Sequence, residues 1–499
     1  MLQSLGALYV IITAGLTGLV HSLSTFQWPN PQLAYADKML YESTLGLLAQ
    51  GCPPQDNSTV PAQWLRIAYH DMSMHDVDDG TGGLDALIQF ELDRPQNIGQ
   101  GMFDSLNDFR DFVAGAPFLG TADTIALGAI FALAGCGGPV IPFSAGRVDT
   151  TEAGPETVPE PQQDLASHTE AFRRQGFTPT EMISLVACGH TLGRVRQVDF
   201  PLVVTNTEDF LQTFDTTTNF NNAVVSEYLQ NTTQNILVVG PNVTTRLDFR
   251  IFLSDGNLHS FLSSDTFNET CGNLIEQMIN TVPSGVTLAQ PISEPFDYVV
   301  SEPLFSYRNG TMSMATTLRI VNPSDNPSRT GHPARPPDVP RHPHTLFKFS
   351  SVLSFWFKIN ENNGSDPVIV DNGGSSFAIG QDSVFIDNSR SEFVIFSSSL
   401  INYQKVVMVV HGDASSSMSI TTFDPHTNAS TPPYLPTIIT TNLQLDDSNP
   451  AEGGFTFFTV NVSSTVTFLN ISGNVGGISY TQENFDMTAV DFTFVSISQ

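Results

Sequence analysis

The chain has 499 residues, a length that favours two domains over one. A hydrophobic content of 40% is enough for a large buried core and excludes a globally disordered chain. Fifty acidic residues against twenty basic ones give a formal net charge of −30. This charge argues against nucleic acids and anionic membrane surfaces as partners, and it suits a soluble extracellular protein.

The N-terminus carries an apolar run from Leu5 to Val20, followed by a small-residue site at Ser22. Although a basic flank is missing, we interpret residues 1–22 as a signal peptide. A membrane anchor is the alternative, but the run is short for a span and no charged stop-transfer flank follows. Asn-X-Ser/Thr sequons also favour a secreted glycoprotein. They begin at Asn57, Asn231, Asn242, Asn268, Asn309, Asn363, Asn428, Asn461 and Asn470.

Residues 23–290 have helical patterns separated by long loops. Helices are predicted over Lys38–Gln50, Phe103–Ala114, Thr121–Cys136 and Glu181–Gly189. The third opens on a capping signal at Thr121 and Asp123 and stops before a Gly-Gly-Pro turn. The fourth is preceded by Thr178, a good N-cap residue.

Residues 291–499 show alternating, β-branched runs that predict an all-β, sandwich-like C-terminal domain. The chain is therefore expected to be a multidomain protein with an α-helical part followed by a β part. Strands are predicted over 316–321, 352–359, 393–396, 405–410, 455–462 and 465–471. Residues 322–344 are rich in Pro and Arg and predict a loop or linker. Insertion within the β domain is preferred, because strands begin near Tyr298 and Leu304.

The four cysteines, Cys52, Cys136, Cys188 and Cys271, are even in number and none forms a Cys-X-X-Cys pair. Two disulfides are expected in an oxidising compartment, and a zinc site is not. Four cysteines allow three connectivities, between which the spacing does not choose.

Two histidines stand inside short patterned runs, residues 64–71 and 186–193. Arg66 and His70 are four residues apart, so a helix would present both side chains on one face. A cation beside an imidazole suits the handling of a small polar molecule such as a peroxide. His190 has no nearby cation and follows a glycine. One histidine is suited to acid–base chemistry and the other to holding a metal.

Residues 35–282 resemble the secreted fungal haem peroxidases of the plant-peroxidase superfamily, hybrid-type branch, and the remaining residues carry none of the signatures. Arg66, Tyr69 and His70 match the pattern Arg-X-X-aromatic-His-Asp of the family's distal helix, where the family usually has Phe at the Tyr69 position. The resemblance makes His70 the distal base and Arg66 the distal cation. It further implies that Glu91 orients Asn97, whose carbonyl accepts the His70 ring N–H.

On the same resemblance, His190 is the proximal ligand of a haem b iron. Phe214 matches the aromatic residue beside it. Asp255 is our choice for the carboxylate that accepts the second ring N–H of His190, with Asp248 and Asp265 as nearby competitors.

The resemblance also implies calcium, although both sites look depleted. The distal set is Asp71, Gly83 and Asp85, with Leu87 where the family has Ser. The proximal set is Thr191, Asp215 and Thr217, with Asn219 or Asn221 where an acid is common.

Further features of the family assign disulfides Cys52–Cys136 and Cys188–Cys271 and a substrate-channel position at Pro159. Gln63 and Thr59 replace the acids of a manganese site, and Leu185 replaces a surface Trp used by some relatives.

The resulting hypothesis is a secreted haem peroxidase that reduces hydrogen peroxide and oxidises small aromatic, chiefly phenolic, donors by one-electron steps. A non-catalytic cell-wall or adhesion glycoprotein on a peroxidase scaffold is the alternative. The β domain is a candidate for binding cell-wall polysaccharide, and no nucleic-acid or membrane partner is expected.

Overall fold

A computed structural model gives the architecture of the chain. It describes residues 9–13, 31–42, 44–56, 58–113, 118–206, 211–254, 263–301, 303–308, 310–321, 341–345, 354–378, 384–396, 402–412, 416–424 and 437–497.

The N-terminal part is helical as far as residue 280. Its helices, within the described residues, are α1 (Pro31–Glu42), α2 (Thr44–Ala49), α3 (Val60–Met72), α4 (Gln100–Val113), α5 (Thr121–Gly135), α6 (Leu165–Arg174), α7 (Pro179–Gly189), α8 (Ala223–Leu229), α9 (Ile236–Val239), α10 (Leu247–Phe252) and α11 (Ser264–Asn280). None of these described helices is both long and apolar enough to cross a membrane. Two short hairpins complete this part: β2 (Pro54–Gln55) with β3 (Ser58–Thr59), and β4 (Arg194–Arg196) with β5 (Leu211–Thr213).

Helix α5 is the centre of this domain, because nearly all of its side chains are buried. A helix that is apolar on every side must be covered on every side, and α3, α2 and α4 pack against it. Its N-terminal Asp123 forms a buried ion pair with Arg147 at 2.8 Å. Arg147 also donates to the carbonyl of Ile279 at the end of α11. Its guanidinium therefore connects the start of α5 to the end of α11.

One predicted helix is divided in the structure, and another begins where its cap predicts. The predicted helix Lys38–Gln50 is divided into α1 and α2, with residue 43 between them outside the described residues. The second helix starts at Thr44, in a Ser-Thr pair of the kind that favours helix starts. Helix α7 begins as its capping signal predicts, because Thr178 and Glu181 form a reciprocal capping box.

The C-terminal part is β-rich and contains several sheets. Its strands, within the described residues, are β6 (Tyr298–Val300), β7 (Leu304–Arg308), β8 (Thr311–Ile320), β9 (Arg341–Thr345), β10 (Ser354–Ile359), β11 (Val368–Val370), β12 (Phe377–Ala378), β13 (Val384–Ile386), β14 (Glu392–Phe396), β15 (Tyr403–His411), β16 (Ser417–Asp424), β17 (Thr437–Asn442), β18 (Gln444–Leu445), β19 (Phe455–Ser463), β20 (Phe468–Val475), β21 (Ile478–Asp486) and β22 (Thr493–Ile497).

The sheet with the order β18-β19-β15-β14-β22 lies at the centre of this part, with β13 also paired to β15. Strand β15 carries an unbroken buried run, Val406–Val410, which is typical of a strand covered on both faces. Val406, Met408 and Val410 pack with residues of the β17-β16-β20-β21 sheet. Val407 and Val409 pack into a second core with residues of β7 and β10. The expected sandwich-like domain therefore has a middle sheet between two outer layers.

Two predicted segments, the Pro-rich segment and the signal peptide, bear on the description of the β part. Residues 322–340, most of the Pro-rich segment, lie outside the described residues. The flanking strands β8 and β9 pair antiparallel, which favours an insertion within the β part. Residues Tyr9–Thr13, inside the predicted signal peptide, form a strand β1 that pairs with β10. Cleavage near residue 22 would remove this strand.

Helix α1 holds the helical part and the β part together. Arg319 of β8 is buried and forms ion pairs with Asp37 and with Glu42, the latter at 2.6 Å. Asp37 also accepts the backbone N–H of Phe296 at 2.8 Å. On the rim of the contact, Lys38 pairs with Asp486 at 2.6 Å.

Arg319→Ala should lower the free energy of unfolding by about 3–5 kcal/mol, because the buried Asp37 carboxylate would lose its cation. Lys38→Ala is the matched control at the half-buried pair on the rim and should cost about 1 kcal/mol or less. Chemical denaturation at neutral pH measures both. Equal, small losses for the two variants would contradict a buried electrostatic contact between the two parts.

Candidate active site

The first histidine run forms α3, which begins at a well-defined cap. The Thr59 side chain accepts the backbone N–H of Ala62 at 3.3 Å, and Pro61 occupies the first turn. Most α3 side chains are buried, whereas Arg66, Tyr69 and His70 are only half-buried. The helix thus presents its cation and its imidazole together, as their spacing predicts.

The ring of His70 is held by Asn97. The Nδ1 atom of His70 lies 2.8 Å from Oδ1 of Asn97, while Nδ2 of Asn97 donates to the backbone carbonyl of Glu91 at 3.0 Å. Because the amide nitrogen is used by Glu91, Asn97 presents its oxygen to His70, which must carry its proton on Nδ1. Burial and the nearby Arg66 cation lower the pKa of His70 to about 3, against the opposing effect of Asn97. His70 is therefore neutral and has an Nε2 lone pair to accept a proton.

Glu91 orients Asn97 through its backbone carbonyl, which accepts the Asn97 amide. Its carboxylate accepts the N–H of Gly154 at 2.7 Å and pairs with Arg94 at 2.8 Å. Burial raises the pKa of Glu91 to about 7, although the Gly154 hydrogen bond and Arg94 oppose the shift. Glu91 thus fixes the loop that carries Asn97. Nothing in the sequence pattern pointed to Arg94 or Gly154.

Arg66 is fixed by loop carbonyls and an aromatic ring. Its Nη2 atom donates to the carbonyls of Gln96 and Ile98 at 3.1 and 3.2 Å. Its guanidinium carbon lies 5.4 Å from the centre of the Phe200 ring. Burial lowers the pKa of Arg66 to about 10, so the side chain is still a cation at neutral pH.

Tyr69 forms a wall beside His70. Its ring stacks on Phe172 at 6.0 Å, and its hydroxyl lies 3.5 Å from Oε1 of Gln175. Burial raises the pKa of Tyr69 above its usual value. The phenol is neutral, and the amide beside it is a poor base for taking its proton.

The second histidine follows α7 directly. The N–H of His190 donates to the carbonyl of Val186 at the helix end. Its ring lies parallel to Phe214, with 4.5 Å between centres and 17° between planes. The hairpin of β4 and β5 accounts for this contact, because β4 begins four residues after His190 and Phe214 comes directly after β5.

The carboxylate that meets His190 is Asp248. Its two oxygens lie 3.0 and 2.9 Å from the Nδ1 atom of His190. The preferred candidate, Asp255, lies outside the described residues. Asp248, in the first turn of α10, is the carboxylate that contacts His190. Asn235, which the sequence analysis missed, donates to Asp248 at 2.7 Å. The signal that could have identified Asp248 is its position as an acid in the first turn of a short helix.

The site lies in a domain that contains two disulfides, Cys52–Cys136 and Cys188–Cys271. The first joins the segment after α2 to the end of α5. The second joins α7, two residues before His190, to α11. These are the pairings that the resemblance implied.

Pro159, the expected channel residue, is half-buried in the loop between α5 and α6. The neighbouring Val158 packs with Met74 and Leu87, which follow the distal helix. This contact places the Pro159 loop beside the distal side of the site.

The residues present fit a haem. Nδ1 of His190 is engaged by Asp248, which leaves Nε2 as the atom that would bind iron. Arg194, four residues further along, has a buried Nε atom without a hydrogen-bond partner. A buried, unpartnered guanidinium N–H next to the proximal histidine suits a carboxylate group of the porphyrin.

Asp71 of the distal calcium set is held by backbone hydrogen bonds. Asp71 accepts backbone N–H groups of Asp85, Ala86 and Ile88 at 2.8–2.9 Å, so donors occupy both of its oxygens. Burial raises the pKa of Asp71, and it raises the pKa of Asp85 to about 6; a bound cation would oppose both shifts. Gly83 has a φ of 127° and lies against the backbone of Thr281, a close approach that accounts for a glycine there.

The proximal set fits a cation better. Asp215 has one buried carboxylate oxygen without a hydrogen-bond partner, while the other accepts the N–H of Thr217 at 2.7 Å. Burial raises the pKa of Asp215 to about 6, an effect that a bound cation would oppose. The hydroxyl of Thr191 donates to the carbonyl of Asn221 at 2.5 Å.

Comparison with known proteins agrees with this geometry. Residues 50–266 match the family described as Peroxidase. A WSC domain-containing protein of Arthroderma benhamiae is 36% identical over 240 residues, which are 46% of this chain and 33% of that protein. L-ascorbate peroxidase 5, peroxisomal, of Arabidopsis thaliana is 29% identical over 200 residues, 40% of this chain and 66% of that protein.

A mitochondrial cytochrome c peroxidase of Yarrowia lipolytica is 28% identical over 159 residues, 31% of this chain and 46% of that protein. The chain thus spans from one third to just under two thirds of the lengths of these three relatives. Together, the family match and these relatives show that residues 50–266 of this chain are similar to peroxidases.

Proposed function

We propose that this chain is a secreted haem peroxidase that reduces hydrogen peroxide and oxidises small phenolic donors. The observation that carries the proposal is the pair of oriented histidines. Asn97 fixes the Nδ1 proton of His70, and Asp248 fixes that of His190. Each ring thereby has its Nε2 atom available, one for a proton and one for iron.

His70 is the proton carrier in this scheme. Its neutral Nε2 takes a proton from the bound peroxide and returns it to the leaving oxygen. The Arg66 cation, held by the carbonyls of Gln96 and Ile98, stabilises the negative charge that develops as the O–O bond breaks. Haem, when bound to His190, supplies the redox chemistry.

Secretion and glycosylation form part of the proposal. Six of the sequon asparagines lie among the described residues, and each of them is exposed or half-buried. Two disulfides also suit an oxidising compartment. Asp215, Thr217 and Thr191 would hold a cation on the proximal side.

His70→Ala should slow the reaction with peroxide by about 10²–10⁴-fold while haem stays bound, because the proton carrier is lost. His75→Ala is the matched control: His75 lies five residues further along, and among the hydrogen bonds described its side chain contacts only the carbonyl of Gly82, at 2.9 Å. Stopped-flow absorption of the haem-bound proteins gives both rates. A native rate in His70→Ala would remove His70 from the mechanism, and no peroxide reaction in the unmodified protein would favour the non-catalytic glycoprotein.

The rate with peroxide should be independent of pH from about 8 down to about 4 and should fall only as the pH approaches 3. The pKa of His70 is lowered to about 3, so its proton-accepting form persists far below the usual histidine range. Stopped-flow measurements across this range test the expectation. A fall centred near pH 6.5 would contradict the expectation, because His70 or Glu91, whose pKa is raised to about 7, would then control the rate in that range.

A further inference from the structure

We propose that Asn235 is a positioning residue that controls how strongly Asp248 attracts the Nδ1 proton of His190, and thereby sets the redox potential of the iron. The inference rests on the proposed function, since it requires haem on His190. It concerns a residue that has no contact with the distal side among the hydrogen bonds described.

The three side chains form a short hydrogen-bonded chain. Nδ1 of His190 is 2.9 Å from Oδ2 of Asp248, and Nδ2 of Asn235 donates to the same oxygen at 2.7 Å. Asp248 and Asn235 are both fully buried. One carboxylate oxygen is therefore shared by an imidazole and an amide away from water.

The direction of the Asn235 amide is fixed by its own helix. Its Oδ1 atom accepts the N–H of Leu237 at 2.9 Å and caps the start of α9. An amide whose oxygen receives an N–H cannot be flipped without losing that bond. Nδ2 must therefore face Asp248, and the geometry of α9 decides that Asp248 receives a second donor.

A second donor weakens the pull of the carboxylate on the histidine. A hydrogen bond to a carboxylate stabilises its negative charge, and more so in a buried site of low dielectric. The negative charge that Asn235 stabilises at Oδ2 attracts the Nδ1 proton of His190 less strongly. His190 then has less imidazolate character, which makes ferrous iron easier to form. Asn235 is expected to raise the potential above that set by Asp248 alone.

The decisive variant is Asn235→Ser, because serine keeps an oxygen acceptor for the α9 cap but lacks the amide N–H that reaches Asp248. The ferric/ferrous midpoint potential of the haem-bound protein should shift downward. The iron–histidine stretching frequency in resonance Raman spectra should shift upward. Asp248→Asn removes the carboxylate and should shift both quantities in the opposite directions.

Gln234→Ala is the matched control. Gln234 is the neighbouring amide and donates to the carbonyl of Asp215 at 2.7 Å, not to Asp248. Its removal should leave the potential unchanged. Asn235→Thr is measured alongside Asn235→Ser, so that the result does not depend on the folding of one variant.

The outcomes separate this inference from the proposed function. An unmodified protein that binds no haem would refute both. A haem-bound Asn235→Ser protein with the unmodified potential would overturn the inference alone, even if its melting temperature fell. Shifts of the same sign in Asn235→Ser and Asp248→Asn would also overturn it, because they would indicate general damage to the proximal side.

Discussion

The account depends on one kind of interaction, a hydrogen bond that fixes the proton on Nδ1 of a histidine. An imidazole can carry its proton on either nitrogen, and only a fixed partner makes one arrangement persist. Asn97 is that partner for His70, at 2.8 Å, and Asp248 for His190, at 2.9 Å. The partners differ in charge, and this difference separates the two roles. A neutral amide leaves His70 a weak base, whereas a carboxylate makes His190 a stronger electron donor.

The rest of the helical domain keeps these partners in place. Glu91 is anchored by Gly154 and Arg94, so the loop before Asn97 is tied at its carboxylate as well as at its backbone. Asn235 is anchored by the cap of α9. The Cys188–Cys271 disulfide fixes the helix that ends at His190. In each case a group that does not contact the histidine ring holds the histidine's helix or its hydrogen-bond partner in place.

Patterns that depend on local chemistry were predictable from the sequence. The Thr178 cap of α7, the shared face of Arg66 and His70, and the strand β15 all follow from periodicity or from a nearby polar side chain. The contacts that join distant segments were not. Asp248 lies 58 residues from His190, so several acids in the same region were equally consistent with the pattern.

The dependence on contacts between distant segments also explains two further differences between the predictions and the structure. A carboxylate next to a distal histidine suggested calcium, but only the fold shows that three backbone N–H groups reach Asp71. The alternation of the C-terminal strands predicted a sandwich-like β domain, but it did not predict a sheet covered on both faces. Both faces of β15 are buried, because its odd and even residues enter different cores. The sheet that contains β15 therefore lies between two outer layers.

The central claim is that His190 binds the iron while His70 serves the opposite side. Absorption spectroscopy of the haem-bound protein and of His190→Gly, with and without added imidazole, tests it most directly. The account predicts that His190→Gly changes or loses the haem spectrum and that imidazole, which can occupy the vacated position, restores it. A spectrum of His190→Gly identical to that of the unmodified protein would contradict the account, because the iron ligand would then be another residue.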